Sequence, residues 1–206
     1  MTGVQAVVLA SGFSRRLGAD KLSQSLCGKS VLQMVVENAL GTGIGKIVVV
    51  LRERGQAKLL PHDPKISVIY NENADAGMSS SIKAAVLRAE PEFDSFLFLN
   101  GDMPFFTTGS MKKLLEAWAM NPDKIACIRH GGVLRGPVIF PRKYMGLLLG
   151  LEGESGGREI LMNHREEVVS IDVEDPDEVA DIDSPGDLEQ AREICKKRGL
   201  PQSGSR

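Results

Sequence analysis

Histidine and cysteine are scarce in this sequence, and each scarcity removes a class of chemistry. The three histidines, His62, His130 and His164, are dispersed along the 206 residues, which leaves histidine acid–base catalysis little support. The three cysteines, Cys27, Cys127 and Cys195, are far apart, odd in number and without CxxC spacing. Neither a zinc site nor a disulfide framework is indicated, and the pattern reads as reduced thiols in a cytoplasmic protein. A large excess of one charge is also missing. The net charge is −2, so whole-surface attraction to nucleic acid is not expected and any anion site must be a local cluster. No apolar run approaches the ~20 residues that span a membrane. The short apolar run near the N-terminus lacks the basic segment of a signal peptide.

What is present suffices for a packed core. Hydrophobic residues make up 42% of the chain, a globular composition, and the length suits one domain. Apolar runs at 4–10, 46–51, 66–70 and 96–99 read as buried strands. Helical periodicity follows each of them: after Ser30 up to Gly41, over 54–60, over 78–89, and from Thr107 or Thr108 to about Met120. This β-α alternation predicts a single-domain, doubly wound, mostly parallel Rossmann-like α/β sheet with helices on both faces. The second half is less regular. Strands are expected at 125–129, 133–140 and 168–173, and short helices over 141–149 and 160–162. Ser184-Pro185-Gly186-Asp187 starts a last helix, with Ser at the N-cap, Pro at the first position and an acid at the third. The domain is expected over 1–198, and 199–206 as a flexible tail.

The stretch 7–21, VVLASGFSRRLGADK, organises the rest. A strand ends abruptly and delivers Ser11, Gly12, Ser14, Arg15, Arg16 and Gly18 to the carboxyl edge of the sheet, where open α/β sheets bind ligands. Glycine lets backbone N–H groups close on an anion, and Arg15, Arg16 and Lys21 add fixed positive charge. That suits a polyphosphate; an ordinary solvated basic turn would use the same residues. Asp102 follows the fourth strand in Asn100-Gly101-Asp102-Met103-Pro104. A carboxylate beside a polyphosphate suits Mg²⁺, while a turn Asp capping its own backbone is the plain alternative. Asp183 is a candidate second oxygen near that metal, or simply an acid at a helix start. Asn71, Gly77, Ser79 and Ser80 sit where a loop enters a helix, and free N–H groups and hydroxyls there would serve a phosphate or a base.

Four segments carry a family resemblance in family order. LASGFSRRLGADK, NENADAGMSSSIKAAV, LFLNGDMP and DIDSPGDL resemble the signatures of the nucleotidyltransferases that finish the molybdenum cofactor, the cytidylyltransferases in particular. The resemblance implies a nucleotide-diphospho-sugar transferase type of fold. It implies transfer of a nucleoside monophosphate from an NTP to the phosphate of a molybdopterin-type acceptor, with Mg²⁺ as cofactor and pyrophosphate as product. Lys21, Arg16 and Asp102 would be catalytic. Nucleotide contacts would fall at Leu9, Ala10, Ser11, Gly12, Arg15, Arg16, Lys21, Asn71, Gly77, Ser79 and Ser80. Asp102 and Asp183 would hold the metal. Acceptor contacts would fall at Pro137 and Arg158, although Gly136 replaces the usual His and Glu154 the usual Asp. A molybdenum hydroxylase apo-enzyme is the implied recipient.

Guanylyl relatives carry LAGG where cytidylyl relatives carry LAAG, and here Ser11 fills the slot. A side chain there crowds a purine more than a pyrimidine, so CTP is favoured over GTP. Another phosphorylated acceptor, such as a sugar or alcohol phosphate, keeps the same fold. A non-catalytic accessory protein that delivers cofactor is the third reading. Other motif matches fail. Gly28-Lys29-Ser30 lacks the leading Gly of a phosphate loop, because position 23 is Ser. Gly153-Glu154-Ser155-Gly156-Gly157 has only His164 after it, too close to complete a hydrolase triad.

Overall fold

The computed structural model describes residues 3–13 and 20–201. Among these, the main sheet has seven strands: β1 Gly3–Ala10, β2 Lys46–Leu51, β3 Ile66–Tyr70, β4 Phe93–Asn100, β5 Ile125–His130, β6 Val133–Pro141 and β7 Val168–Asp172. They lie in the order β3-β2-β1-β4-β6-β5-β7. β1 pairs in parallel with β2 and β4, β2 with β3, and β5 with β7. β6 alone runs antiparallel, between β4 and β5.

The continuous apolar runs have a physical reason: both faces of the sheet are covered. Val4, Ala6, Val8 and Ala10 of β1 point into one core, while Val7 points into the other. The first core is closed by α1 (Val31–Leu40), α3 (Thr108–Ala119) and α6 (Pro185–Lys197). The second is closed by α2 (Met78–Val86), α4 (Met145–Gly150) and α5 (Gly157–Asn163). This is the single-domain, mostly parallel α/β arrangement that the alternation predicts. Helix starts follow their caps: Ser30 accepts from the Gln33 N–H, and Thr107 from the Ser110 N–H. α2 stops at Val86, short of the expected 89. Residues 88 and 89 close three-residue turns onto Ala85 and Val86, and Pro91 follows, before which helix is disfavoured. The segment expected to be a tail begins with a turn, in which the Leu200 N–H reaches the Cys195 carbonyl at 3.0 Å; residues 202–206 lie outside the described ones.

One expectation is overturned. Cys27 and Cys195, read as separate reduced thiols, form a disulfide across 168 residues of sequence, with Cα atoms 5.6 Å apart. Cys27 sits with positive φ at the tip of a two-residue hairpin turn, Cys27-Gly28, and Cys195 lies on the buried side of α6. Strands of two residues each, Ser25–Leu26 and Lys29–Ser30, are too short to show periodicity, so the hairpin that carries Cys27 there was not legible. Cys127 is free and buried in β5, and burial pushes its thiol up to about 12. That removes it from nucleophilic chemistry at neutral pH.

The α6 start is a capping box, since the Ser184 hydroxyl accepts from the Asp187 N–H while the Asp187 carboxylate accepts from the Ser184 N–H at 2.7 Å. Hydrogen bonding from Ser184 draws the Asp187 carboxyl below its ordinary 3.8, against a smaller desolvation that raises it. A depressed folded-state value adds stability that is present above the unfolded value and lost as pH falls through the folded one. Ser184→Ala is therefore expected to cost about 1 kcal/mol in thermal or urea unfolding at pH 7. The difference from wild type should shrink as the pH is taken below about 4. A difference that is flat with pH would separate the cap from the Asp187 charge.

Candidate active site

The parallel strands β1, β2, β3 and β4 end at one edge of the sheet, and three segments distant in sequence are stitched together there by backbone hydrogen bonds. The Gly101 N–H donates to the Leu9 carbonyl at 2.9 Å, joining the turn after β4 to the end of β1. The Ile182 N–H donates to the Asp102 carbonyl at 3.0 Å, joining the segment before α6 to that same turn. Gly101 is needed for the close approach: a Cβ there would lie 3.0 Å from the Leu9 carbonyl oxygen and 3.2 Å from the Ala10 Cβ. Lys21 opens a short 3₁₀ turn, Lys21–Ser23, capped by Asp20.

This stitching brings Lys21, Asp102 and Asp183 together. Lys21 Nζ lies 2.6 Å from Asp102 Oδ2 and 2.7 Å from Asp183 Oδ1. The ammonium is 12% exposed, Asp102 19% and Asp183 41%, so the pair to Asp102 is the better shielded from solvent. Burial alone would lower the Lys21 pKa; the charges and hydrogen bonds of Asp102 and Asp183 outweigh it, and the net shift is upward. Lys21 is thus a fixed cation at neutral pH. Asp181 stands beside them, and desolvation first, then repulsion from Asp102 and Asp183, pushes its carboxyl up.

Asp102 Oδ1 is buried and has no hydrogen-bond partner. An orphaned carboxylate oxygen next to a second carboxylate is a hard-oxygen donor set, and a divalent cation that takes few protein ligands fits it. No group of three or more His, Cys, Asp or Glu side chains placed to hold a metal ion occurs among the described residues, so a cage built wholly from protein side chains is not what these acids offer.

Next to this charge cluster lies a cleft of about 420 Å³. Leu9, Ala10, Ser11, Gly12, Lys21 and Gly77 are among its lining residues, as are Asp102 and Asp183. A second lobe of about 450 Å³ shares Leu9, Met78, Asn100, Glu154 and Asp181 with the first. Arg158 lines this second lobe, as do Gly136 and Val138, the neighbours of Pro137. The structure therefore brings the segments expected to contact a nucleotide and those expected to contact an acceptor to adjoining halves of one cleft. Arg15 and Arg16 fall in 14–19, outside the described residues.

The loop at 71–80 differs from expectation. Its N–H groups and hydroxyls are not free. The Ser79 N–H donates to the Gly153 carbonyl at 3.1 Å, and the Met78 N–H to Glu154 Oε2 at 3.3 Å. Ser80 Oγ donates to the Gly77 carbonyl at 2.7 Å, and Asn71 Nδ2 donates to Ser80 Oγ at 2.8 Å and Ser81 Oγ at 3.1 Å. Asn71, Ser79 and Ser80 therefore hold the loop, and they lie along a different hollow, shared with Lys83 and Gly153. Gly77 does face the cleft, at φ 85 and ψ −173, a backbone region open essentially to glycine alone.

Two contributors escaped the sequence reading. Ser81, the last serine of the run, bonds the buried Ser11 hydroxyl and lines the cleft; helical spacing from Gly77 was the available signal. Arg52, at the end of β2, donates to the Gly12 carbonyl at 3.3 Å and lies over the Phe13 ring at 4.6 Å. It steadies the start of the basic loop, and no motif marks it.

Comparison with known proteins agrees with this architecture. Residues 6–168 match the MobA-like NTP transferase domain model. The chain is 26% identical over 196 residues to the purine catabolism protein PucB of Bacillus subtilis, covering 90% of this chain and 94% of that one. It is 25% identical over 197 residues to the molybdenum cofactor cytidylyltransferase of Escherichia coli, covering 94% and 97%. The crystal structure of Rv0371c from Mycobacterium tuberculosis superposes with a TM-score of 0.80 at 22% identity, covering 93% of this chain and 98% of that one. A complex of Rv0371c with manganese superposes at 0.75. The chain belongs to the MobA-like NTP transferase domain family.

Two outcomes follow from the geometry. A Cβ on Gly77 would lie 2.4 Å from the Gly153 carbonyl oxygen and 2.9 Å from the Glu154 nitrogen. Gly77→Ala is expected to lose at least ~1–3 kcal/mol of unfolding free energy; retained stability in urea titration would show that the loop at 153–154 yields. Replacing Lys21 by Met removes the cation that bridges Asp102 and Asp183. Binding of Mn²⁺ to the nucleotide-free variant, followed by electron paramagnetic resonance, is expected to be tighter than to wild type. Equal or weaker binding would mean that these two acids do not form a cation site.

Proposed function

We propose that this member of the MobA-like family transfers CMP from CTP to the phosphate of a molybdopterin-type acceptor and releases pyrophosphate. The observation that carries the reading is Lys21 held between Asp102 and Asp183 beside a two-lobed cleft. The nucleotide fills the lobe lined by Leu9, Ala10, Ser11, Gly12 and Gly77, and the acceptor fills the lobe lined by Arg158. An oxygen of the acceptor phosphate forms a bond to the α-phosphorus. The bond from that phosphorus to the bridging α–β oxygen breaks, and its electron pair leaves with pyrophosphate. Lys21 lies beside the metal-binding acids of the nucleotide lobe, where its charge offsets negative charge growing on the α-phosphate oxygens. Arg15 and Arg16 would hold the β- and γ-phosphates. A divalent cation, Mg²⁺ in this reading, would be held by Asp102 and Asp183 and would neutralise and orient the phosphates. The remaining work of the chain is positioning.

Base choice rests on Ser11. It is 2% exposed and lines the nucleotide lobe, and its hydroxyl is tied to Ser81, so it does not swing aside for a larger base. The likeness to a cytidylyltransferase supports the same preference. The decisive experiment is pyrophosphate release from the four NTPs with Mg²⁺ and molybdopterin. CTP is expected to give the highest kcat/KM, and Lys21→Ala to lower kcat by on the order of 10²–10³, by analogy with loss of one oxyanion donor. Preference for GTP would overturn the base assignment. Turnover with a sugar phosphate but not molybdopterin would overturn the acceptor. Binding of CTP without turnover would mark a delivery protein.

A further inference from the structure

We infer that Arg135 is an anion-binding residue of the second lobe, gripping the phosphate of an acceptor that is a phosphate monoester. The inference rests on the reading above that this lobe receives the acceptor, and it adds a residue that neither the motifs nor the resemblance singled out.

The strand β6 positions it. Phe98 of β4 pairs with Val138, and that is the last register pair between β4 and β6 on this side. On the other flank, Cys127 pairs with Val138 and Ile128 with Arg135, so Gly136 and Pro137 have no partner in β5. Residues inserted on one strand re-aim the side chains beside them. Beyond the bulge, Val133, Leu134 and Arg135 have no register partner in β4 and line the lobe together with Met78, Gly156 and Arg158.

The guanidinium is where it differs from its neighbours. Arg142, in the turn after β6, gives Nε to the Phe93 carbonyl at 2.8 Å and Nη2 to the Glu90 carbonyl at 2.6 Å. Arg129, on β5, grips both oxygens of Asp172 at 2.7 and 3.0 Å. Arg135 Nε is buried with no acceptor. The carboxylates of Glu154 and Asp181 line the same lobe, yet neither forms an ion pair with Arg135. A buried N–H without an acceptor is costly to the folded protein alone. A bound anion supplies what it lacks, and the planar fork of arginine matches phosphate oxygens. Arg158, exposed at the rim, adds a second positive charge. Apart from Asn100, Glu154 and Asp181, the wall is mainly apolar, with Phe98, Phe140, Leu134 and Met103, so the body of the acceptor carries an apolar face. The phosphate would be set by Arg135 from the acceptor side and would attack toward Lys21.

The test compares wild type with Arg135→Met and Arg135→Lys. With CTP and molybdopterin, Arg135→Met is expected to raise the acceptor KM by roughly tenfold or more, as for loss of a charge-assisted contact, and to leave the CTP KM within about twofold of wild type. Arg135→Lys should recover only part, since a point charge does not replace the fork. Phenyl phosphate serves as a binding probe independent of turnover. Calorimetry should show the same loss of affinity in Arg135→Met, with unchanged thermal unfolding. If wild type binds phenyl phosphate through Arg135 but does not turn over CTP with molybdopterin, the acceptor assignment fails and the anion site stands. If Arg135→Met leaves phenyl phosphate affinity and acceptor KM unchanged, or raises the CTP KM equally, the inference is overturned.

Discussion

An ammonium held by two carboxylates at the carboxyl edge of the sheet is the constraint around which the rest of the site is arranged. Lys21, Asp102 and Asp183 come from the start, middle and end of the chain. None of the three could stay half-buried alone, because an unpaired charge removed from water is costly. The backbone bonds from Gly101 to Leu9 and from Ile182 to Asp102 tie the turn after β4 to the end of β1 and the segment before α6 to that turn, which fixes where Asp102 and Asp183 meet Lys21. The cluster is still incomplete as it stands. Asp102 keeps one buried oxygen unpartnered, and Asp181 adds like charge beside it. An unpartnered carboxylate oxygen beside a second carboxylate is a donor set that suits a divalent cation.

The lone antiparallel strand gives the cleft its second half. While β4 and β6 stay paired, Phe96 and Phe98 are covered by Val138 and Phe140. Past the break in pairing at Gly136-Pro137, Val133, Leu134 and Arg135 line the second lobe. The two lobes share the lining residues Asn100 and Asp181, so the two halves adjoin beside the charge cluster. The loop at 151–156 closes this arrangement from outside. Its carbonyl at Gly153 and carboxylate at Glu154 occupy the first N–H groups of α2, which is why that helix start offers less to a phosphate than its sequence promises.

Most of the architecture was legible from residue order. Strands buried on both faces need unbroken apolar runs, and Lys46–Leu51 announces itself for that reason. Caps at Ser30, Thr107 and Ser184 act within one helical turn, so their signal is local. In the site, Lys21, Asp102 and Asp183 could be nominated because each follows a strand or precedes a helix at the same sheet edge. The roles of Asn71, Ser79 and Ser80 could not be assigned that way. A polar group near a helix start bonds either the protein or a ligand; here the Ser79 N–H is taken by the Gly153 carbonyl and the Ser80 hydroxyl by the Gly77 carbonyl.

The sequence by itself determined the alternation of strands and helices, the helix boundaries set by short-range capping, and the family to which the chain belongs, since those depend on contacts between residues close in sequence or on motif order. Tertiary structure alone decided which distant groups meet. It joined Cys27 to Cys195 across 168 residues, set Lys21 between acids 81 and 162 positions away, and turned Arg135 into the cleft with an unsatisfied N–H. Those outcomes depend on loop closure and strand register. Both are settled by the packing of the whole sheet and leave no periodic trace in the order of the residues.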